Sequence, residues 1–134
     1  MKPHQVILLF TVALFLASCT IPAEIELYNN SGEPITVEVG NETLIISPDS
    51  TTSFGQDYGI EFVITMNSTI FHYHVDRLAL SNVEFVGWGP FTKRVFRAQL
   101  QADGSIWAVS PEQEYPVTNF IHQPEGFPVE PEKV

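Results

Sequence analysis

The sequence contains a single cysteine, Cys19, among its 134 residues. No internal disulfide and no Cys-x-x-Cys redox pair can therefore form. Basic residues are also scarce, six against sixteen acidic ones, and the formal charge of −10 argues against a nucleic-acid binder. Only 16% of the residues are charged while 44% are apolar, which is too much core material for a disordered chain. One folded domain is expected.

No long apolar run occurs after Cys19, but one stands before it. Residues 6–16 are apolar except for Thr11, Lys2 supplies a basic start, and the small residues Ala17 and Ser18 follow. These are the three parts of a secretory signal peptide. The run is too short to span a bilayer comfortably, since a membrane helix needs about 20 apolar residues. Residues 1–18 are therefore predicted to be a signal peptide.

The four residues Leu16-Ala17-Ser18-Cys19 resemble the lipobox of bacterial lipoproteins. That resemblance implies that the Cys19 thiol carries diacylglycerol, that the chain is cleaved between Ser18 and Cys19, and that the new amino group can take a third acyl chain, palmitate being a typical one. It also explains a lone thiol in an exported protein, which would otherwise be an unpaired reactive group in an oxidising compartment. The membrane contact is then the lipid on Cys19, because two or three acyl chains anchor a protein stably.

The residue after the cysteine is Thr20, whereas in lipoproteins of diderm bacteria an aspartate there favours retention in the inner membrane. The resemblance therefore implies an outer-membrane lipoprotein that faces the periplasm. Cleavage would remove Lys2 and leave five basic residues against sixteen acidic ones, a charge of −11. Such a negative domain is expected to stay soluble above the membrane.

From residue 24 onward apolar and polar residues alternate with period two, which is typical of strands with one buried face. Turn residues separate these segments every eight to twelve positions. Residues 29–34 predict a hairpin turn, and Asp103-Gly104 predicts another. The strands are predicted at residues 24–28, 35–39, 43–47, 51–54, 60–65, 69–75, 93–101 and 105–109.

Many short strands with regular turns predict an all-β fold, either a small antiparallel β-sandwich or a partly open barrel. The segment 25–37 resembles the first hairpin of immunoglobulin-like envelope domains. Residues 19–23 would form the lipidated N-terminus and tether, and 24–110 the domain. Five prolines within residues 111–134 predict an irregular tail that lies along the domain and frays beyond Glu130. A single helical turn is possible at residues 76–80.

The string His72-Tyr-His74-Val-Asp76 resembles part of the metal site of metallo-β-lactamase-like hydrolases, although Arg77 stands where that family has a further histidine. Histidines two apart on a strand point the same way and can bind zinc or copper. His122 could add a third ligand, with Asp76 or a glutamate as a fourth. The simpler interpretation places His72 and His74 on the solvated face of a strand.

Three of the five basic residues of the mature chain, Lys93, Arg94 and Arg97, lie within five positions. They form either a basic binding spot or pairs with glutamates of neighbouring strands, and the second is favoured. Trp88 stands in a Gly-Trp-Gly-Pro loop, either as a recognition aromatic or, as we favour, as a buried plug at the end of the sandwich. Trp107 is predicted to be structural.

No Gly-x-Ser-x-Gly elbow and no phosphate-binding glycine-rich loop occurs in the sequence. We therefore expect no enzyme and no cofactor, but a lipid-anchored structural or interaction module of the cell envelope, with a possible envelope protein partner. The alternative is a periplasmic metal- or small-ligand-binding protein that uses His72 and His74. A small hydrolase is a third hypothesis.

Overall fold

The computed structural model describes residues 23–55, 60–75, 84–86, 88 and 92–133. The predicted signal peptide and lipobox, the helical turn at 76–80 and most of the loop around Trp88 lie outside these residues. The described part is a β-sandwich of two sheets that are not closed into a barrel, and it contains no helix. This confirms the all-β prediction and selects the sandwich over the barrel.

Ten strands build the two sheets in the described part of the chain. They are β1 (Ala23–Asn30), β2 (Ile35–Val39), β3 (Glu42–Ile46), β4 (Thr51–Phe54), β5 (Ile60–Met66), β6 (Thr69–Val75), β7 (Glu84–Val86), β8 (Lys93–Gln101), β9 (Ile106–Ala108) and β10 (Glu132–Lys133). Sheet A has the order β4-β1-β8-β7, and β9 also pairs with β8. Sheet B has the order β10-β6-β5-β2-β3.

The predicted alternation is confirmed on β2, β5 and β6, whereas much of β8 is buried on both faces. Leu27, Val37, Ile64 and Leu100, which come from both sheets, are completely buried between them. On β6, Phe71, Tyr73 and Val75 face the core while the residues between them face solvent. Because side chains on a strand alternate between its faces, the position of the apolar residues decides which face of each strand is buried.

The predicted hairpin between residues 24–28 and 35–39 is wrong. Strand β1 pairs with β4 on one edge and with β8 on the other, so β2 has no edge of β1 left to join. Residues 31–34 instead carry the chain into sheet B. The buried side chain of Asn29 organises this crossing, since its amide donates to the carbonyl oxygens of Glu33 and Ile46 and its oxygen accepts from the Ser31 backbone.

Among the described strand pairs, β1 and β8 are the only ones that run parallel. The predicted turn at Asp103-Gly104 is confirmed, because β8 pairs with β9 across it, and Asn67-Ser68 forms a second turn between β5 and β6. Asn67 and Ser68 both have positive φ angles, 52° and 63°. Type I′ turns require positive φ at both central residues, and their twist matches that of the two strands.

The proline-rich tail first covers the outer face of sheet A. The ring of Tyr115 stacks on Tyr28 with centroids 4.7 Å apart. The side chain of Gln99 on β8 binds the backbone of Val117, accepting its N–H at 2.8 Å and donating to its carbonyl oxygen at 2.9 Å. Gln123 binds the backbone of Ala108 on β9 in the same two-bond manner, at 2.8 and 2.9 Å.

The tail then closes one side of the sandwich. Phe127 enters the core and stacks on Phe96, and the backbone of Val129 pairs with Ile106 through two hydrogen bonds. Glu132–Lys133 forms β10 on the edge of β6, so the predicted fraying beyond Glu130 is wrong. Prolines prevent a long strand, but Glu132 and its neighbour supply the backbone N–H groups that proline lacks.

Candidate functional site

Two of the three clustered basic residues form pairs inside sheet A. Lys93 Nζ lies 3.3 Å from Glu24 Oε2, and Arg97 Nε lies 3.7 Å from Glu26 Oε1. The parallel register of β1 and β8 places these side chains on the same outer face. Pairing with strand glutamates is therefore confirmed for Lys93 and Arg97, and these two do not form a free basic spot.

Arg97 also holds the tail. Its guanidinium donates to the carbonyl oxygens of Ser110 at 2.9 Å and Gln113 at 2.7 Å, and it lies 4.4 Å from the centre of the Tyr115 ring. A guanidinium can satisfy several acceptors in one plane while its face packs on an aromatic ring. Arg97 therefore stabilises the fold rather than a bound ligand.

The two tryptophans differ in their environment. Trp107 is half-buried, stacks on Phe120 of the tail at 4.9 Å and donates to Ser105 Oγ at 3.0 Å, so its predicted structural role is confirmed. Trp88 is 75% exposed, and the favoured prediction of a buried plug is wrong. The connection between β7 and β8 presents this ring at the surface.

The three histidines proposed as metal ligands do not converge. His72 and His74 are exposed on the outer face of sheet B, and His74 Nδ1 lies 3.5 Å from Glu61 Oε1. His122 lies in the tail beside β8 and β9 of sheet A. His72 and His74 are separated from His122 because β6 directs its histidines away from sheet A. No group of three potential metal ligands occurs in the part of the chain that the structure describes.

The outer face of sheet B carries a polar depression beside these histidines. Residues opposite each other in antiparallel strands share a face, so the register places Glu61 against His74, and His72 between Val63 and Glu132. Glu38 lies against Val63 on the next strand. The depression is thus lined by two imidazoles and several carboxylates, those of Glu38, Glu61, Glu130 and Glu132.

Next to this depression lies an apolar row that sequence reasoning missed. The register aligns Ile45, Thr36, Thr65 and Ile70 across four strands of sheet B. Ile45 is 73% exposed and Ile70 44% exposed, so both isoleucines face solvent. The sequence does contain a sign of this row, because β3 and β6 each carry an isoleucine at a position where the alternation predicts a solvent-facing side chain. Only the pairing register of the strands shows that Ile45 and Ile70 lie at the two ends of one row.

Shifted pKa values among the described residues belong to groups that hold turns or the tail. Burial raises the pKa of Tyr73, whose hydroxyl donates to the Gly104 carbonyl oxygen at 2.7 Å, and burial also raises the pKa of Tyr115 in the tail. Hydrogen bonds from Ser105 lower the pKa of the Asp103 carboxyl in the β8–β9 turn.

No protein family, curated protein or solved structure shows significant similarity to this chain. Within the described residues, no helix is long and apolar enough to cross a membrane.

Proposed function

We propose that the protein is a lipoprotein of the bacterial cell envelope, acylated on Cys19, that acts as a non-enzymatic interaction module. The observation that carries this proposal is the lone cysteine at the end of Leu16-Ala17-Ser18-Cys19, followed only four residues later by the first strand at Ala23. Four residues span at most about 14 Å, so an acyl group on Cys19 would hold the sandwich directly above the bilayer. We place it in the outer membrane, facing the periplasm.

We further propose that the outer face of sheet B is the surface that contacts a protein partner. The tail covers the outer face of sheet A, whereas sheet B presents its apolar row with the acidic depression beside it. An apolar strip bordered by carboxylates suits a partner that offers apolar side chains with basic residues around them. The charge of −11 after cleavage would favour the approach of such a basic surface.

Acylation is tested by metabolic labelling with a palmitate analogue in a diderm host. The wild type should be labelled and partition into detergent, and intact mass should show a mature chain beginning at Cys19. Cys19→Ser should lose the label and accumulate as an uncleaved or soluble form. Membrane attachment that survives Cys19→Ser would contradict the proposal.

The partner surface is tested by a photo-crosslinking amino acid placed at position 45, with the exposed tail position 118 as the matched control. A defined adduct in cells should form at 45 and not at 118. Glu38→Gln combined with Glu132→Gln should weaken that adduct, since both changes remove negative charge with little change in shape. Equal adducts at 45 and 118 would contradict a specific surface on sheet B.

Cation binding at His72 and His74 is a second candidate function. The observation that favours it is the shared orientation of the two imidazoles, with a carboxylate 3.5 Å from His74. Zinc titration of the mature protein, with a His72→Ala, His74→Ala double variant as control, is the test. Stoichiometric binding that the double variant loses would support this function, and equal binding by both proteins would exclude it.

A further inference from the structure

The start of β1 defines one end of the sandwich, which we call the tethered end. Arg94, near the start of β8, lies directly beside Ala23 because β1 and β8 are parallel. Phe54, the last residue of β4, pairs with Ile25 at this same end. An anchor on Cys19 must therefore hold this end of the molecule toward the membrane.

Trp88 belongs to the tethered end. It lies in the connection between β7 and β8, and the residues that flank this connection, Val86 and Lys93, pair with each other. The start of β8 at Lys93 is one residue from Arg94, the neighbour of Ala23. The exposed indole is thus presented at the end where the tether begins.

The apolar row of sheet B lies at the opposite end. Thr36, in this row, is the second residue of β2 and follows the crossing at 31–34, while Ile70 follows the Asn67-Ser68 turn. The strands run from the tethered end to this distal end. A molecule that stands on its tethered end would direct Ile45 and Ile70 away from the bilayer.

From this arrangement we propose that Trp88 inserts into the interfacial layer of the bilayer that carries the Cys19 lipid, and so sets the sandwich upright on the membrane. Indole rings favour the interface because their apolar body and polar N–H match its gradient of polarity. Lys93 beside the connection is paired with Glu24 and the domain as a whole is acidic, so the inference rests on the exposed indole and not on basic side chains. This inference rests on the proposed anchoring at Cys19.

Fluorescence quenching by brominated lipid tests the inference. Because Cys19 is the only thiol, the mature chain can be coupled through it to a maleimide lipid in vesicles of phosphatidylcholine and phosphatidylglycerol. Trp107→Phe leaves Trp88 as the sole tryptophan. Its emission should shift to shorter wavelength on coupling and should fall when the phosphatidylcholine carries brominated acyl chains.

The matched control moves the reporter to the distal end. A chain with Trp88→Phe, Trp107→Phe and Ile45→Trp, coupled to the same vesicles, should show no quenching and no shift. An unquenched Trp88 would overturn the inference and indicate a protein contact for this ring. Quenching at both positions would also overturn it, since the sandwich would then lie flat.

Chemical coupling makes this result independent of biological acylation. If cellular Cys19 proves unmodified by mass spectrometry, the proposed function fails whatever the vesicles show. If Cys19 is acylated and Trp88 is not quenched, only the upright orientation fails. Near-ultraviolet circular dichroism of each variant confirms that the reporters are read in a folded domain.

Discussion

Gln99 offers the most direct test of how the tail is held. Its side chain is completely buried, and its amide makes two hydrogen bonds to the backbone of Val117 at 2.8 and 2.9 Å. The substitution Gln99→Met keeps the side-chain volume but removes the amide groups that donate to the Val117 carbonyl oxygen and accept from the Val117 N–H. The two bonds to Val117, with a net value of about 0.5–1.5 kcal/mol each, are lost together with the bond from the Gln99 amide to Gln101 Oε1 at 3.1 Å. The N–H and carbonyl of Val117 then remain buried without a partner, at about 1–3 kcal/mol each if no water reaches them.

The bonds alone set a lower limit of about 1 kcal/mol, and partial desolvation of the Val117 groups brings the expected loss to about 2–4 kcal/mol. That is a large fraction of the 5–15 kcal/mol that typically stabilises a domain. The loss is measured by urea unfolding, followed through Trp107, whose ring stacks on Phe120 of the tail. Hydrogen exchange at Val117 should rise together with it.

A second variant, Gln99→Glu, separates the hydrogen bonds from packing. The carboxylate can still accept from the Val117 N–H but cannot donate to its carbonyl oxygen, and burial opposes its charge. Burial would raise the pKa of this glutamate in the folded state, so the variant should be most stable at acid pH and weaken as pH rises. Gln113→Met, at a more exposed position of the tail, serves as control. A loss below about 0.5 kcal/mol for Gln99→Met would refute the reasoning.

Three further predictions concern other parts of the fold. The buried hydroxyl of Tyr115 lies beside Glu26 and Arg97 without a well-aligned hydrogen bond among the described residues, so Tyr115→Phe should change the free energy of unfolding by less than about 0.5 kcal/mol, while Tyr115→Ala should cost about 3 kcal/mol by urea unfolding. Ser68→Gly should raise the melting temperature and stabilise by about 0.5–1 kcal/mol, because glycine adopts the positive φ of this turn without strain. Burial of Tyr73 raises its pKa in the folded state, so stability should be constant below the unfolded phenol pKa of about 10 and fall above it. Tyr73→Phe should reduce that alkaline slope and cost roughly 1 kcal/mol at neutral pH, and an unchanged slope would contradict this assignment.

The sequence predicted which side chains of β2, β5 and β6 face the core, because alternation is a local property that one strand carries alone. It could not predict the partners of β1. Residues 24–28 and 35–39 have the alternation and the turn residues of a hairpin, yet β8, about seventy residues away in the chain, and β4 occupy both edges of β1. Strand pairing at such distances depends on tertiary packing that no local pattern records.

The same limit applies to the candidate sites. The ion pairs of Lys93 and Arg97 were predicted correctly, since cations on a strand need only a neighbouring strand with glutamates. A site built from His72, His74 and His122 required two distant segments to meet, and the tail passes over the other sheet instead. Ile45 and Ile70 show the opposite situation. Neither residue stands out in the sequence, and only the strand register brings them into one exposed row.

The path of the tail leaves the two outer faces of the sandwich differently exposed. The side chains of Gln99 and Arg97 form hydrogen bonds with the tail backbone, and the tail covers the outer face of sheet A. Little of this face is therefore left for a partner to contact. The tail then crosses to β6 and ends there as β10, without covering the row from Ile45 to Ile70. If a partner bound to the outer face of sheet A, the hydrogen bonds between this sheet and the tail would have to break first. Sheet B can bind with its fold intact, and this is why we assign the partner to its outer face.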